Sequence, residues 1–176
     1  NSPDRETALK QSALLRGEQN DNAGMAQRFE QLLKEYPETK DAAEAHHWIG
    51  RSYFEAKDYK KAVPHLEKAR DQNPEYFESD SLRLVYAAYH LNDPDDFWAR
   101  VQQYLPKGKT KITPDLLRWC AQIYLDAKSS PKAEPVLSLL CSGEEVTEND
   151  WLQLATARNA VDKHPGAVEA VKAYLG

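Results

Sequence analysis

The histidines and cysteines are the residues of this chain best suited to metal binding or nucleophilic chemistry. His46 and His47 are neighbours, and neighbouring helical side chains point about 100° apart, so these two imidazoles do not converge on one ion. The remaining histidines, together with Cys120 and Cys141, show no metal-ligand spacing. We therefore predict no metal site and no cofactor. A disulfide between the two cysteines stays open as the less favoured alternative.

The sequence contains no recognisable setting for catalysis. Glycine-rich nucleotide loops, serine elbows and zinc-protease motifs are absent from it, and its carboxylates are spread along polar helix faces. The segment 107–112 carries three lysines but lacks the glycine-rich lead-in of a phosphate loop, so we interpret it as a solvated connector. Cys120 falls at a position for small core residues, where thiols are usually inert. We expect this chain not to be an enzyme.

Charge and hydropathy narrow the choice of partner. The chain of 176 residues has a net charge of −5, with 41% hydrophobic and 29% charged residues, an ordinary globular balance. A negative chain is poorly suited to nucleic acid, because phosphate binding needs a basic face. No apolar run approaches the roughly 18 residues that span a bilayer. Because the sequence begins at Asn1 rather than Met, we expect any membrane anchor to lie upstream of it.

The segment 43–74 shows the clearest periodic pattern in the chain. Its small and apolar positions fall three or four residues apart within each half, as on one helix face: His46, Ile49, Gly50, Tyr53, Ala62, Leu66, Ala69 and Pro74. The polar turn at 56–58 folds these two short helices back on each other as a hairpin. The pattern resembles the tetratricopeptide signature W-x2-L-G-x2-Y…A-x3-F…P, with His46 at the tryptophan position.

The same pattern recurs four more times at a spacing close to 34 residues. The position of Gly50 is taken in the other copies by Ala13, Tyr86, Cys120 and Ala155. The position of Leu66 is taken by Phe29, Val101, Leu137 and Val171, and that of Ala62 in the third copy by Phe97 or Trp98. Tyr86 is too large for a close-contact position. The third copy is therefore either shifted by about one residue or splayed.

Capping residues and prolines set the predicted helix boundaries. Thr113-Pro114 and Thr147–Asp150 read as helix starts, whereas Tyr36-Pro37, Asn73-Pro74, Leu105-Pro106 and His164-Pro165 read as exits or turns. The sequence thus predicts an all-α fold, a right-handed superhelical solenoid of about five tetratricopeptide-like hairpins in a single domain, 1–176. The predicted hairpins span approximately 4–37, 41–74, 78–105, 113–142 and 147–175.

Residues 25–76 resemble one subgroup of these repeats more closely. They share a Tyr36-Pro37 exit, a few extra residues and a Glu44-Ala45 opening of the next helix with bacterial envelope proteins. These include the outer-membrane lipoprotein that helps assemble β-barrels and the coordinator associated with the Tol–Pal system. The resemblance implies a periplasmic or cell-envelope scaffold. A cytoplasmic regulatory scaffold, or an accessory region of a larger protein with its catalytic part elsewhere, are the alternatives.

In a tetratricopeptide solenoid the first helix of each pair lines the concave face. The residues of those helices that face away from the packing positions are our candidate partner contacts: Lys10, His47, Arg51, Phe54, Arg83, His90, Leu117 and Tyr124. Arginine pairs well with carboxylates and aromatic residues anchor interfaces, so we expect a peptide or helix with an acidic part and an apolar anchor. The sequence is equally compatible with the alternative that these arginines are solvated or paired with Glu44 and Glu55.

The predicted partner is thus a protein or peptide, with no nucleic acid and no metal. The C-terminal end of the sequence, after 174, shows no polar capping helix, and solenoids usually need one. We therefore expect either further chain or a neighbouring molecule to cover that end, which makes self-association a further prediction. Membrane attachment is expected only through an upstream anchor.

Overall fold

The computed structural model describes residues 3–161 and 164–175, and every regular element in these ranges is helical. The α-helices are α1 (Pro3–Glu18), α2 (Asn22–Glu35), α3 (Ala42–Glu55), α4 (Tyr59–Gln72), α5 (Phe77–His90), α6 (Pro94–Tyr104), α7 (Pro114–Asp126), α8 (Ser130–Cys141), α9 (Glu148–Ala160) and α10 (His164–Leu175). A short 3₁₀ turn, Pro74–Tyr76, precedes α5. The helices pack as the successive pairs α1–α2 to α9–α10. The predicted all-α fold of helical hairpins is confirmed.

The chain forms two compact units, residues 1–109 and 110–176. The first unit holds α1 to α6, in which α2 packs on α3 and α4 on α5. The second unit holds α7 to α10, in which α8 packs on α9. Because each repeat of a solenoid contacts only its neighbours, this division does not test the prediction of a single domain.

One turn geometry closes four of the hairpins. Each has a non-glycine residue in the left-handed region, with φ of 60°, 61°, 57° and 54° at Asn20, Lys57, Asn92 and Lys128. The next amide then reaches back into the last turn of the first helix, as when Asp58 N donates to Tyr53 O at 2.9 Å. The Asp58 side chain in turn accepts from Lys61 N and caps α4. Two or three residues thus end one helix and start its antiparallel partner.

The third hairpin is shifted by one residue relative to the second, which is one of the two alternatives that the size of Tyr86 left open. Tyr86 is 36% exposed, whereas Val85 and Ala88 are completely buried. Val85 therefore occupies the position of Gly50, and the assignment of Tyr86 to it is wrong, because a phenol is too bulky to fit between two helices. Phe97 is buried and Trp98 is only half-buried, so Phe97 fills the position for which both were candidates.

The fifth hairpin also differs from its prediction. Val171 is 40% exposed while Ala170 is 1% exposed, so Ala170 packs inward and the assignment of Val171 to a packing position is wrong. The dipeptide His164-Pro165, predicted from the sequence to be a helix exit or a turn, opens α10. Proline is well accommodated in a first helical turn, since its missing N–H has no intrahelical acceptor there.

Both cysteines are buried, and no disulfide joins Cys120 to Cys141, which contradicts the less favoured alternative. Cys120 lies in α7 and Cys141 ends α8. Burial is the main cause that raises the pKa of the Cys141 thiol to about 11, and nearby Asp150 adds to the shift. A thiol with so high a pKa stays protonated and is a poor nucleophile.

Candidate functional site

Lys10 lies on α1 and is held by two carboxylates. Its Nζ is 2.8 Å from Asp41 Oδ1 and 2.6 Å from Glu44 Oε2. The hydrogen bonds to Asp41 and Glu44 raise the pKa of Lys10. An open cleft of about 480 Å³ lies beside this pair, lined mainly by polar residues of α1 and of the α2–α3 connection, Lys40 among them. Lys10 therefore links α1 to α3, and its positive charge is already paired with two carboxylates.

His47, on α3, is buried instead of exposed. Only 8% of it is accessible, and its Nδ1 lies 2.9 and 3.0 Å from the two carboxylate oxygens of Asp80, which is itself completely buried. The imidazole stacks on Tyr76 with ring centroids 4.2 Å apart. Arg83 Nη1 also donates to Asp80, at 3.2 Å. His47 and Arg83 thus share a buried carboxylate that ties α3 to α5, which corrects the expectation that His47 faces a partner.

Arg51 remains accessible and forms the most exposed of these ion pairs. Its Nε lies 2.7 Å from Glu55 Oε1, one helical turn further along α3, and the side chains are 40% and 39% exposed. Its guanidinium also lies 5.3 Å from the centroid of the Trp48 ring. An exposed pair of this kind contributes little to stability, roughly 0–1 kcal/mol. Arg51 thus pairs with Glu55, as in the alternative that the sequence left open for the arginines.

Phe54 and His90, both predicted contacts, are brought together by a residue that the sequence reading missed. Tyr59 lies against Phe54 at 5.3 Å between ring centroids, nearly edge to face, and stacks on His90 at 4.5 Å with ring planes 6° apart. Phe54 and Tyr59 are half-buried and His90 is exposed. We call Phe54, Tyr59 and His90 the aromatic strip. Tyr59 is the first residue of α4, directly after the turn that follows α3. That position was the sequence signal by which its contact with Phe54 could have been predicted.

In the second unit, the predicted contacts Leu117 and Tyr124 lie in the core. Each is 4% exposed, and the ammonium of Lys132 lies 5.5 Å from the centroid of the Tyr124 ring. The expectation that they face away from the packing positions is therefore wrong. The reason is that α7 buries a wide apolar stripe that also includes Leu116, Cys120 and Ala121. Whether Leu117 and Tyr124 contact a partner is not tested by the structure.

Neither a cluster of metal-binding side chains nor a membrane-spanning helix occurs in the parts of the chain that the structure describes. Over residues 3–161 and 164–175, no group of three or more His, Cys, Asp or Glu side chains is arranged to hold a metal ion. Within the same ranges, no helix combines the length and apolar character needed to cross a bilayer. In the first unit, the aromatic strip and Arg51 form an accessible face.

Comparison with known proteins identifies the repeat. Tetratricopeptide repeat models match residues 7–39 and residues 43–76, which are the first two hairpins. No curated protein matches the chain in sequence. The predicted tetratricopeptide repeats are confirmed in these two hairpins, and proteins built from such repeats generally act as protein–protein interaction scaffolds.

Solved structures agree on the fold. A crystal structure of MamA protein superposes with a TM-score of 0.56 at 15% identity, covering 97% of this chain and 90% of that one. A second crystal structure of MamA gives 0.53 at 15% identity, with 93% and 92% covered, and MamA AMB-1 gives 0.54 at 10% identity, with 98% and 91% covered. At these identities the likeness shows the fold alone.

Proposed function

We propose that the first unit, residues 1–109, is a non-enzymatic scaffold that binds a peptide or helix of a partner protein over the aromatic strip and Arg51. The observation that carries this proposal is the strip itself. Two predicted contacts on different helices, Phe54 and His90, meet through Tyr59 and keep part of their ring surface exposed. Exposed aromatic and arginine side chains are the residue types that most often dominate binding energy at interfaces.

The ion pairs refine where an acidic part of the partner would bind. Lys10 is held by two carboxylates, and Arg83 is paired with the fully buried Asp80. Taking a charge away from a buried carboxylate is costly, about 3–5 kcal/mol. Arg51, by contrast, is paired with an exposed glutamate, and exchanging one exposed carboxylate for another is nearly neutral. Arg51 is therefore the preferred receptor for a carboxylate of the partner.

The location of this scaffold is also part of the proposal. We propose a bacterial cell-envelope assembly, in the periplasm, on the basis of the resemblance of residues 25–76 to envelope repeats. A cytoplasmic regulatory scaffold, or an accessory region of a larger protein, is the alternative. Fractionation of cells that produce the native protein separates these alternatives. Recovery in the cytosolic fraction alone would overturn the envelope assignment while leaving the binding proposal intact.

Site-specific photo-crosslinking in cells tests the binding face. A photoreactive amino acid at Phe54 or His90 is expected to capture the same polypeptide. The matched controls are Lys34 on α2 and Gln102 on α6, which are exposed residues of second helices. If all four positions capture the same protein equally, or if the strip positions capture nothing, the proposed face is wrong.

The captured polypeptide, once purified, allows a quantitative test. We expect Arg51→Glu to weaken its binding more than tenfold in titration calorimetry, because the substitution removes the carboxylate receptor and adds a repelling charge. Lys34→Glu reverses a charge on a second helix and is expected to leave the affinity within twofold. The two variants are compared at equal thermal stability, which is expected because both side chains are accessible. Unchanged affinity in Arg51→Glu would discard the site.

A further inference from the structure

Two histidines meet inside the second hairpin. His46 on α3 and His65 on α4 approach with their Nδ1 atoms 2.8 Å apart and their ring centroids 5.0 Å apart. His46 is 8% exposed and His65 is half-buried. A hydrogen bond between two Nδ1 atoms requires that one carries its proton and the other does not. When the pair carries no charge, the two imidazoles are therefore in different tautomers.

This arrangement responds to the number of protons added. A first extra proton can go to the free Nε2 of the donor ring, and the resulting imidazolium still donates its Nδ1–H to the neutral partner. A second extra proton places an N–H on both Nδ1 atoms and a positive charge on both rings. Two donors facing each other at 2.8 Å cannot form a hydrogen bond, and the two like charges repel. The contact between α3 and α4 is thus compatible with one extra proton but not with two.

The surroundings favour the uncharged pair. Burial lowers the pKa of His46 to about 4, with further contributions from His65 and from Lys68 on α4. Burial and Lys68 also lower the pKa of His65, while Glu30 on α2 opposes that shift. Glu30 in turn accepts a hydrogen bond from the Tyr53 hydroxyl on α3 at 2.6 Å. Since Glu30 acts on His65, we expect the first proton there and the second on His46.

We propose that His46 and His65 form an acid-sensitive latch that holds α3 against α4 and releases them when both rings are protonated. The direction follows from linkage. Both folded-state pKa values lie below the ordinary 6.5, so the unfolded chain takes up protons first as the pH falls. The stability that the pair contributes is complete above about pH 6.5 and is lost progressively as the pH falls toward about 4.

Opening of the latch would also affect the aromatic strip. Phe54 belongs to α3 and Tyr59 to α4. Separating these helices therefore breaks the contact between the Phe54 and Tyr59 rings and moves Tyr59 relative to His90, on which it stacks. A partner bound at the strip would then be released in acid. This consequence rests on the proposed function, whereas the latch itself does not.

Hydrogen exchange of the full chain at pH 7 and pH 4.5, corrected for the intrinsic exchange rate, tests the latch. We expect opening of the α3 and α4 amides to increase at least tenfold relative to those of α7 and α8, neither of which contains a histidine. The double variant His46→Leu/His65→Leu replaces both partners by apolar groups and is expected to lose this acid response. Lys60→Gln removes an exposed charge on α4 without changing either histidine and is expected to retain it. An equal acid response in the double variant and the parent overturns the latch.

Proton NMR of the parent chain provides a test that needs no variant. The Cε1–H resonances of His46 and His65, assigned by their contacts across the hairpin, are expected to titrate below pH 6.5 in two coupled steps. Independent titration of both near 6.5 would overturn the latch. Affinity for the crosslinked partner at pH 7 and 4.5 then tests the consequence alone. An acid-labile hairpin with unchanged affinity would retain the latch and reject the strip as the binding site.

Discussion

A β-carbon built on Gly50 would lie 2.8 Å from Cγ and Cδ2 of Leu66 and 3.0 Å from the Leu66 backbone nitrogen. Leu66 is completely buried, so its side chain has little room to move away, and its backbone belongs to α4. The two helices of the second hairpin therefore approach as closely as their backbones permit. Any side chain at position 50 has to push α3 and α4 apart.

This contact predicts the effect of enlarging Gly50. Gly50→Ala should destabilise the chain by about 1–3 kcal/mol, and Gly50→Leu by at least as much, because overpacking strains a dense core. Gly17→Ala is the control, since the three atoms nearest to its new methyl group all belong to the flexible Met25 side chain, with Sδ at 2.7 Å, and alanine gains helix propensity. Urea denaturation followed by circular dichroism measures both. Equal midpoints for Gly50→Ala and the parent would show that the helices are further apart.

The left-handed turn residues predict a stabilising change. Lys57 has φ of 61° with a β-carbon, a conformation that costs an L-residue roughly 1–2 kcal/mol and glycine almost nothing. Allowing for the greater chain entropy of glycine in the unfolded state, Lys57→Gly should stabilise the chain by about 0.5–1 kcal/mol. The same substitution at Lys68, an exposed residue in the interior of α4, should destabilise by about 1 kcal/mol. Thermal unfolding distinguishes the two signs, and a lower midpoint for Lys57→Gly would contradict the turn geometry.

The sequence was most informative where packing permits few residue types. Gly50 and Leu66 are such a pair, and the helix boundaries around them follow from the local turn chemistry of Asp58. Where a position accepts several sizes, the pattern was ambiguous by one residue. This happened at Tyr86 and Val85, since size alone does not say which of two adjacent residues points inward.

The candidate site was less predictable because it depends on contacts between distant residues. A helix with apolar residues on two faces gives no signal for which face is covered, and Leu117 and Tyr124 were assigned to the wrong one for that reason. His47 looked accessible because its partner Asp80 lies in the next hairpin. The aromatic strip likewise required the position of Tyr59 relative to His90, which no local pattern specifies.

The core of the second unit predicts a cavity effect. Leu137 lies in α8 and is completely buried. Leu137→Ala should destabilise the chain by about 2–5 kcal/mol, because it removes buried methyl groups and leaves a cavity. Leu152→Ala makes the same change at a leucine that is 49% exposed and should shift stability by less than about 0.5 kcal/mol. If the two variants unfold at the same urea concentration, the packing positions of α8 are assigned wrongly.

The ion pair between α7 and α9 predicts a pH-dependent contribution. Asp150 is 1% exposed and accepts from Arg118 Nε and Nη2 at 3.1 and 2.9 Å. Burial alone would raise the pKa of Asp150, but the bonds from Arg118 and Thr147 outweigh it and the pKa is lowered. A lowered carboxyl pKa means that the stabilisation is complete above the ordinary value of 3.8 and is lost as the pH falls through the folded-state value.

Asp150→Asn keeps an acceptor for the Thr147 amide but removes the charge opposite Arg118. It should cost about 1.5–3 kcal/mol at pH 7, the range for hydrogen bonds to charged groups. Asp115→Asn is the matched control, because Asp115 also accepts from Arg118, at 2.9 Å, but its side chain is 85% exposed, so the expected loss is at most about 1 kcal/mol. Urea denaturation at pH 7 and pH 3 measures both variants. The deficit of Asp150→Asn should shrink at pH 3, because below 3.8 the unfolded parent takes up a proton at Asp150 and the parent loses part of the stability that this charge contributes. A deficit that grew in acid would contradict the lowered pKa.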